Sequence, residues 1–312
     1  MTSLKSMFSD QAAFNENFFK PESLTTAERE HLTMVFAASL QKEIGHLLDG
    51  VNFRQHRLID KDPKVDIILH EAVDAWRYLV GIMNLWDIDP DTFQEAWADR
   101  DLFLQMRHEK ESEPWVGQPV LIVDIDDVVS PFRDDCTRWA KEAFPGQVDD
   151  DDHSYYSLTQ EQYGAYVQAR QLKCQGVIQP YVDAVNKLYD MGVWIHLLTA
   201  RPKENLTIKY DTYAWLKNSG LKFNRVSFDS EKFLWVARTD YYKQGRVIAA
   251  VDDSPKHAGE YAMHGLPCLV PTAVHNAKLE TGNGIYICQS ADEMFDYAVK
   301  FMTAMLEKSN NS

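Results

Sequence analysis

Four groups of polar residues in the second half of this 312-residue chain each follow a short apolar stretch. They are Asp124 and Asp126 after VLIV, Thr199, Ala200 and Arg201 after VWIHLL, Lys232 shortly after RVSF, and Asp252 and Asp253 after RVIAAV. Carboxylates placed close together raise one another's pKa values unless a cation offsets their charge. A hard divalent ion with oxygen ligands, usually Mg2+, meets this need. The groups therefore predict a magnesium-dependent site.

The same residue types can carry out chemistry on phosphorus. Asp124 can attack a phosphorus atom and form an aspartyl-phosphate. Asp126, two residues further along a strand and therefore on the same side, can protonate the leaving oxygen and later activate water. Thr199 and Lys232 can bind phosphoryl oxygens and balance the charge of the transition state. We therefore expect a phosphoryl-transfer site.

The elements that would hold these residues alternate between strand-like and helical patterns. Strand-like runs are VLIVDID, VWIHLLTA, RVSFD, RVIAAVDD and PCLVP, and helical segments include YDTYAWLKNSG and ADEMFDYAVKFMTAMLEK. Such alternation indicates an α/β fold with a parallel sheet covered on both faces. Ligands of these sheets bind at the carboxyl ends of the strands, so the polar groups are expected to converge there.

The order of the motifs resembles the haloacid dehalogenase (HAD) superfamily of phosphatases over roughly residues 118–308. The matching motifs are DxD at Asp124 and Asp126, Thr199 in HLLTARP, a lysine, and the acidic pair of VDDSP. The resemblance implies a Rossmannoid parallel sheet, with Asp124 as the nucleophile and Asp126 as the acid and base. The implied substrate-binding residues are Thr199, Ala200, Arg201 and Lys232.

This resemblance also implies a metal site and a catalytic lysine. The implied Mg2+ ligands are Asp124, the main-chain carbonyl of Asp126, and Asp252, with Asp253 close by. Two residues are candidates for the lysine. Lys232 lies 20 residues before Asp252 and follows the strand RVSFD, so we favour it, and Lys243, nine residues before Asp252, is the alternative.

About 70 residues separate the first two motifs, which leaves room for a small helical cap at roughly residues 130–190. Its expected parts are RDDCTRWAKEAF, LTQEQYGAYVQARQL and PYVDAVNKLYDM. A cap of this size favours small substrates and excludes water during the reaction, and it resembles the inserts of 5'-deoxyribonucleotidases. The nearby tract VDDDDHSYY either binds a cation or forms an exposed loop, which is the commoner state of such a run.

The first part of the chain has a different pattern, because residues 25–112 read as helices. The charged segment HEKESEPWVGQP, broken by Pro and Gly, places the domain boundary near residue 115. We therefore expect an all-α domain at 1–115 and the HAD-like domain at 116–312. Glu43 continues the apolar stripe of one helix, and Glu71 and Asp74 lie one turn apart on the next. Inward carboxylates are costly unless paired or bound to metal, so a second metal site is expected.

These acids resemble those of the all-α nucleoside triphosphate pyrophosphohydrolases, which include dimeric dUTPases and MazG-like enzymes. The resemblance covers roughly residues 4–112, and the ExxE and ExxD motifs read EIGH and EAVD here. It implies Glu43, His46, Glu71 and Asp74 as metal ligands and a homodimer formed by the helical domain. His46 departs from the pattern, because imidazole suits Mg2+ less well than a carboxylate does.

Composition limits the partners and the location of the protein. The formal charge of −15 disfavours a long nucleic acid, whose phosphates are bound mainly by Lys and Arg. A small phosphorylated nucleotide held with Mg2+ is compatible with such a charge. The chain has no run of 18 apolar residues, so no membrane span is expected. Its four scattered cysteines suit a reducing cytoplasm.

Together the motifs predict a nucleotide-handling enzyme with two sites. The helical domain would cleave a (deoxy)nucleoside triphosphate to a monophosphate and pyrophosphate, and the HAD-like domain would remove the remaining 5'-phosphate. One alternative is a phosphatase whose helical domain is inactive and serves assembly. Others are a polynucleotide 3'-phosphatase, which the net charge disfavours, and a non-catalytic module that senses nucleotides.

Overall fold

The structure, a computed structural model, describes residues 3–51, 62–148 and 158–310. It divides into two compact units, Met1–Ala98 and Asp99–Ser312. Nearly all of the acidic tract VDDDDHSYY, from residue 149 onward, lies outside the described residues. The fold class is confirmed, because an all-helical region precedes a parallel sheet covered by helices.

In the described residues of the first unit, all regular secondary structure is helical. Its elements are α1 (Leu4–Asn15), a 3-10 turn (Pro21–Ser23), α2 (Thr26–Asp49), α3 (Val65–Leu85) and the first part of α4 (Pro90–Ser112). Thr25 and Glu28 form a capping box that fixes the start of α2. The rings of Phe36 and Tyr78, with centroids 6.0 Å apart, pack α2 against α3. The three predicted helices of this region are therefore present.

The division between the units falls inside α4, ahead of the boundary predicted near residue 115. The second half of α4 belongs to the sheet unit, where Asp99 pairs with Arg170 at 2.6 Å and Phe103 packs edge-on against Tyr213. The segment used for the prediction, residues 108–119, overlaps the last turn of α4, and its Pro and Gly residues follow the end of the helix at Ser112. The break in the helical sequence pattern corresponds to the end of α4. The boundary between the compact units lies earlier, because residues from Asp99 onward contact the sheet unit.

The second unit contains a sheet of six parallel strands in the order β3-β2-β1-β4-β5-β6. The strands are β1 (Val120–Val123), β2 (Trp194–Thr199), β3 (Arg225–Phe228), β4 (Val247–Val251), β5 (Cys268–Pro271) and β6 (Ile285–Cys288). Five of them correspond to the predicted apolar runs, and β6 was not predicted. Leu121 and Val123 belong to one core cluster, and Val120 and Ile122 to another. Alternate residues of β1 are thus buried on opposite faces of the sheet.

Helices complete the second unit. They are α5 (Phe132–Ala143), α6 (Gln160–Gln168), α7 (Gln179–Asp190), α8 (Leu206–Asn218), α9 (Lys232–Ala237), α10 (Asp240–Lys243), α11 (Pro255–Met263) and α12 (Ala291–Asn310), with 3-10 turns at Gln171–Cys174 and Val274–Asn276. Each helix within the described ranges is too short or too polar to span a lipid bilayer.

A small helical cap is formed by α5, α6 and the turn Gln171–Cys174, which share a separate apolar cluster. The cluster contains Phe132, Cys136, Tyr166, Val167, Leu172 and Ile208. The sequence placed α7 in the cap as well, but Val182, Val185 and Leu188 bury its apolar face in the main core beside the sheet. The cap is therefore smaller than the predicted range 130–190, because α7 serves as a crossover helix of the sheet.

One buried histidine in the sheet predicts a pH-dependent stability. The two ring nitrogens of His196 on β2 lie 2.8 Å from the Tyr241 hydroxyl and 3.0 Å from the Ser227 hydroxyl. Burial, assisted by Arg225, lowers the pKa of His196 to about 3. The folded protein thus keeps this ring neutral at a pH where the unfolded chain protonates it.

We expect this difference to destabilise the fold as the pH falls below the ordinary histidine pKa of 6.5. Relative to His196→Asn, wild type should lose up to about 1.4 kcal/mol of unfolding free energy per pH unit as the pH falls from about 6 to 4. Urea unfolding of both proteins across this range measures the effect. Parallel stability curves would contradict the prediction.

Candidate active site

The candidate site lies at the carboxyl end of the sheet, where β1 and β4 run side by side. From β1 the chain continues to β2 and β3 on one side, and then crosses to β4 on the other. Such a reversal of strand order opens a crevice in which ligands bind. The prediction that the polar groups follow the ends of neighbouring strands therefore agrees with the topology.

A buried lysine joins two carboxylates across this crevice. Lys232 Nζ lies 2.8 Å from Asp124 Oδ2 and 2.7 Å from Asp252 Oδ2. The remaining oxygens accept main-chain hydrogen bonds, Asp124 Oδ1 from Ile125 N and Asp252 Oδ1 from Ser254 N. All three side chains are buried. The orientation of both carboxylates is therefore fixed before a ligand binds.

Charge in this cluster is not balanced by the lysine alone. Burial raises the pKa of Asp124 well above its ordinary value, Lys232 opposes this, and Asp252 adds to it. Burial also opposes the charge of Lys232, but the two carboxylates outweigh it and raise the lysine pKa. A further cation would favour the ionised form of Asp124.

The structure separates the two lysine candidates. Lys232 is the first residue of α9, and its side chain is 1% exposed between the carboxylates. Lys243 ends α10 with a side chain that is 60% exposed, and the acid near it is Asp240 at 3.7 Å. Lys232 is therefore the lysine that belongs to the cluster.

Asp126 is held by Arg201. The arginine Nε lies 3.2 and 3.0 Å from the two carboxylate oxygens, and its Nη2 donates to Oδ1 at 2.6 Å. Arg201 is buried, whereas Asp126 is partly exposed and lines the cavity. The guanidinium of Arg201, which was predicted to bind substrate, is therefore paired with Asp126.

Thr199 and Ala200 occupy different positions relative to the cavity. Thr199 is fully buried at the end of β2, and its hydroxyl accepts a hydrogen bond from Arg201 N at 3.2 Å. Ala200 is exposed and lines the cavity, but Thr199 does not line it. In this arrangement Thr199 shapes the turn that follows β2.

Two residues that the sequence did not single out complete the surroundings of Asp253. Arg133 on α5 donates to Asp253 Oδ2 at 3.3 Å, and its Nε lies 2.8 Å from Asp127. His275 Nε2 lies 2.7 Å from the same Asp253 oxygen. Asp127 has a left-handed φ of 56°, and burial raises its pKa to about 7. No local pattern identified Arg133 or His275, because their acidic partners are far away in sequence or in a loop.

The cluster opens into a cavity of about 280 Å3. Its lining includes Asp124, Asp126, Phe132, Tyr163, Arg201, Lys232 and His257. A volume near the lower end of ordinary ligand sites, roughly 300–1,000 Å3, fits a small molecule. Phe132 and Tyr163 come from the cap, so the cap forms one wall of the cavity.

The donor set fits a hard divalent cation. Asp124, Asp252 and Asp253 offer carboxylate oxygens that lie within 4.8 Å of one another. Within the described ranges, five carboxylates of the cluster (Asp124, Asp126, Asp127, Asp252 and Asp253) contact three permanently cationic side chains, those of Lys232, Arg201 and Arg133. Two negative charges therefore remain when all acids are ionised, and one Mg2+ matches both this charge and the oxygen ligands.

The helical unit brings together three of its four predicted ligands. Glu43, His46 and Glu71 form a group whose ligand atoms lie within 4.8 Å of one another, with His46 Nδ1 3.1 Å from Glu43 and 3.5 Å from Glu71. Asp74 is exposed and is not part of this group. Both carboxylates face His46 Nδ1, which carries at most one hydrogen, so the group is either a metal site or an ion-paired cluster.

Comparison with known proteins finds solved structures that match part of this chain at low sequence identity. No protein-family model and no curated protein matches the sequence. A solved structure from Thermotoga maritima, described as a beta-phosphoglucomutase, has 14% identity and a TM-score of 0.40, with 59% of this chain and 99% of that chain covered.

Two further solved structures match with similar coverage and lower TM-scores. A D,D-heptose 1.7-bisphosphate phosphatase from B. bronchiseptica, complexed with magnesium and phosphate, has 14% identity and a TM-score of 0.37 over 59% of this chain and 99% of its own. A HAD-superfamily hydrolase from Ehrlichia chaffeensis has 8% identity and a TM-score of 0.35 over 60% and 100%. At scores below 0.5, these similarities carry no conclusion about activity.

The buried lysine provides a test of the cluster that does not depend on activity. Lys232→Met should lower the free energy of unfolding by roughly 3–5 kcal/mol, because Asp124 and Asp252 lose their shared buried cation. Millimolar Mg2+ should restore part of this loss if the acids bind the ion. Urea unfolding with and without Mg2+ measures both effects.

Lys243→Met is the matched control, since the same change at an exposed ion pair should alter stability by less than about 1 kcal/mol. Equal effects of the two substitutions would refute the role given to Lys232. A Lys232→Met protein that is insensitive to Mg2+ would argue against the metal site.

Proposed function

We propose that the sheet unit hydrolyses phosphate monoesters through an aspartyl-phosphate on Asp124. The observation that supports this most is the orientation of Asp124 by Lys232 and Ile125 N at the mouth of a small cavity. A surface carboxylate would lack such fixed partners. A carboxylate held in place at a topological switch point is suited to attack a bound phosphoryl group.

Each residue of the cluster would have a separate role in the reaction. Asp124 forms a bond to phosphorus while the ester oxygen leaves, and Asp126 gives that oxygen a proton. Asp126 then takes a proton from the water that attacks the aspartyl-phosphate, so phosphate and the Asp124 carboxylate are released. Lys232 balances negative charge beside the attacking group.

The acids Asp124, Asp252 and Asp253 would hold Mg2+. When bound, this ion neutralises phosphoryl charge and supplies a template for the oxygens of the substrate. Lys232 keeps Asp124 and Asp252 oriented, and Arg133 and His275 both contact Asp253 Oδ2.

We further propose that the substrate is a nucleoside monophosphate, in keeping with the resemblance to 5'-deoxyribonucleotidases. The wall formed by Phe132 and Tyr163 supports this, because aromatic rings stack on planar bases. The limited cavity volume and the charge of −15 favour such a molecule over a polynucleotide 3'-end.

The helical unit would supply this substrate from a nucleoside triphosphate, releasing pyrophosphate. The group of Glu43, His46 and Glu71 supports this proposal. The exposed position of Asp74 favours the alternative, an inactive unit used for assembly. Either way we propose that the unit forms a homodimer, because Val65, Leu69 and Val73 leave an apolar stripe of α3 exposed.

Asp124→Asn tests the phosphatase proposal. The isosteric amide cannot act as the nucleophile, so phosphate release from p-nitrophenyl phosphate and from a panel of nucleoside monophosphates with Mg2+ should fall by roughly a thousandfold or more. Pyrophosphate release from triphosphates should persist. Asp134→Asn, the same change at an exposed acid of α5, is the control. Absence of phosphate release by wild type would overturn the proposal.

Glu71→Ala tests the helical unit. If Glu43, His46 and Glu71 hold a catalytic metal, this change should lower pyrophosphate release from deoxynucleoside triphosphates at least about tenfold. Asp74→Ala on the same helix should have a smaller effect, because Asp74 lies outside the group. Wild type that releases no pyrophosphate would establish the alternative of an inactive assembly unit.

A further inference from the structure

Gln175 lies where the chain returns from the cap to the sheet, directly after the turn Gln171–Cys174. We propose that Gln175 is a positioning residue that couples the cap to Asp126 through Arg201. The inference rests on the proposed phosphatase function, in which Asp126 transfers the proton. It goes beyond that function, because Gln175 itself neither lines the cavity nor touches the acids.

The side-chain amide of Gln175 has three partners. Its Oε1 accepts hydrogen bonds from Arg201 Nη2 at 2.7 Å and from Ser130 Oγ at 2.9 Å. Its Nε2 donates to the Tyr166 hydroxyl at 3.0 Å. All four of these residues are buried. An amide that is satisfied at both ends away from water is costly to displace, since each lost partner leaves a buried polar group.

The orientation of the amide is fixed by chemistry. A guanidinium has only donors, so the oxygen of Gln175 has to face Arg201. The amide nitrogen then has to face Tyr166 on α6. If the amide were reversed, its NH2 group would face the N–H groups of Arg201. The amide of Gln175 can therefore adopt only one of its two orientations.

The hydrogen bond between Ser130 and Gln175 joins the two ends of the chain segment that forms the cap. Ser130 lies just before α5, where the chain leaves the sheet, and Gln175 lies where it returns. Tyr166 belongs to the apolar cluster of the cap, where its ring packs against Phe132 and Trp139. A shift of the cap would therefore displace the partner of Gln175 Nε2.

Arg201 passes the position of Gln175 on to the acid. Its Nη2 contacts both Gln175 and Asp126, its Nε faces the Asp126 carboxylate, and its Nη1 donates to Thr212 Oγ1 at 2.9 Å. The planar guanidinium is thus held by three partners, of which Gln175 and Thr212 are buried and Asp126 is partly exposed. Because one nitrogen serves both neighbours, loss of the Gln175 oxygen frees the edge of the guanidinium that holds Asp126.

The consequence concerns proton transfer more than binding. A misplaced Asp126 would fail to protonate a leaving alkoxide, which needs a proton, but would matter less for p-nitrophenolate, which leaves as a stable anion. Cap closure would therefore complete the acid of the site as well as exclude water.

Gln175→Met tests the inference, because methionine keeps the volume and removes both hydrogen-bonding ends. We expect kcat for an alkyl phosphate to fall on the order of tenfold, with a smaller fall for p-nitrophenyl phosphate and little change in KM. Tyr166→Phe, which cuts only the bond to the cap, should shift the ratio of the two kcat values in the same direction.

Gln162→Met is the matched control. Gln162 is a buried glutamine of the same cap, and its side chain caps α6 through Thr159 without reaching Arg201. It should leave the kcat ratio unchanged even if it loosens the helix. A structural role of Gln175 alone would lower activity on both esters equally, and that result would overturn the proposal.

A double-mutant cycle tests the coupling without activity. The unfolding free energies of Gln175→Met and Asp126→Asn should be non-additive, whereas those of Gln162→Met and Asp126→Asn should add. Additivity in the first pair would overturn the coupling. If wild type hydrolyses phosphomonoesters and Asp124→Asn does not, an unchanged kcat ratio in Gln175→Met overturns the inference while the proposed function stands.

Discussion

One buried ammonium group between two carboxylates is the constraint on which the site depends. Lys232 contacts Asp124 at the end of β1 and Asp252 at the end of β4, and it has almost no contact with solvent. Removing three charges from water is unfavourable unless they compensate one another. The carboxylates of the cluster outnumber its cationic side chains, so the cluster favours a further cation. The sheet can tolerate this arrangement because its two apolar faces are buried in separate cores.

The cap depends on the same unit through polar links. Its apolar cluster is small and separate from the main core, so burial alone fixes its position weakly. Arg133 connects α5 to Asp127 and Asp253, and Gln175 connects the returning chain to Arg201. These contacts are directional, whereas apolar contacts are not. In the proposed reaction, such a directional link would couple the position of the cap to the orientation of the acids.

The two units differ in how completely they bury their apolar residues. In the sheet unit β1, β2, β4 and β5 are almost entirely buried, as expected for parallel strands covered on both faces. In the helical unit none of the residues of α2, all of which are described, is buried. The pairing of α2 with α3 therefore leaves apolar side chains such as Met34, Val35 and Leu69 exposed, which is the basis of the homodimer proposed above.

The sequence by itself determined the elements and the order of the acids. Aliphatic runs predicted five of the six strands found in the described part of the chain. The placement of residues at strand ends, such as Asp124 and Asp252, follows from alternation and strand direction, which are local properties. Only the tertiary structure decided between Lys232 and Lys243, assigned α7 to the main core, excluded Asp74 from its group, and paired Arg201 with Asp126 and Arg133 with Asp253. These outcomes depend on which side chains meet across the fold. Burial and ion pairing act between residues that are close in space and distant along the chain, so no local pattern contains them.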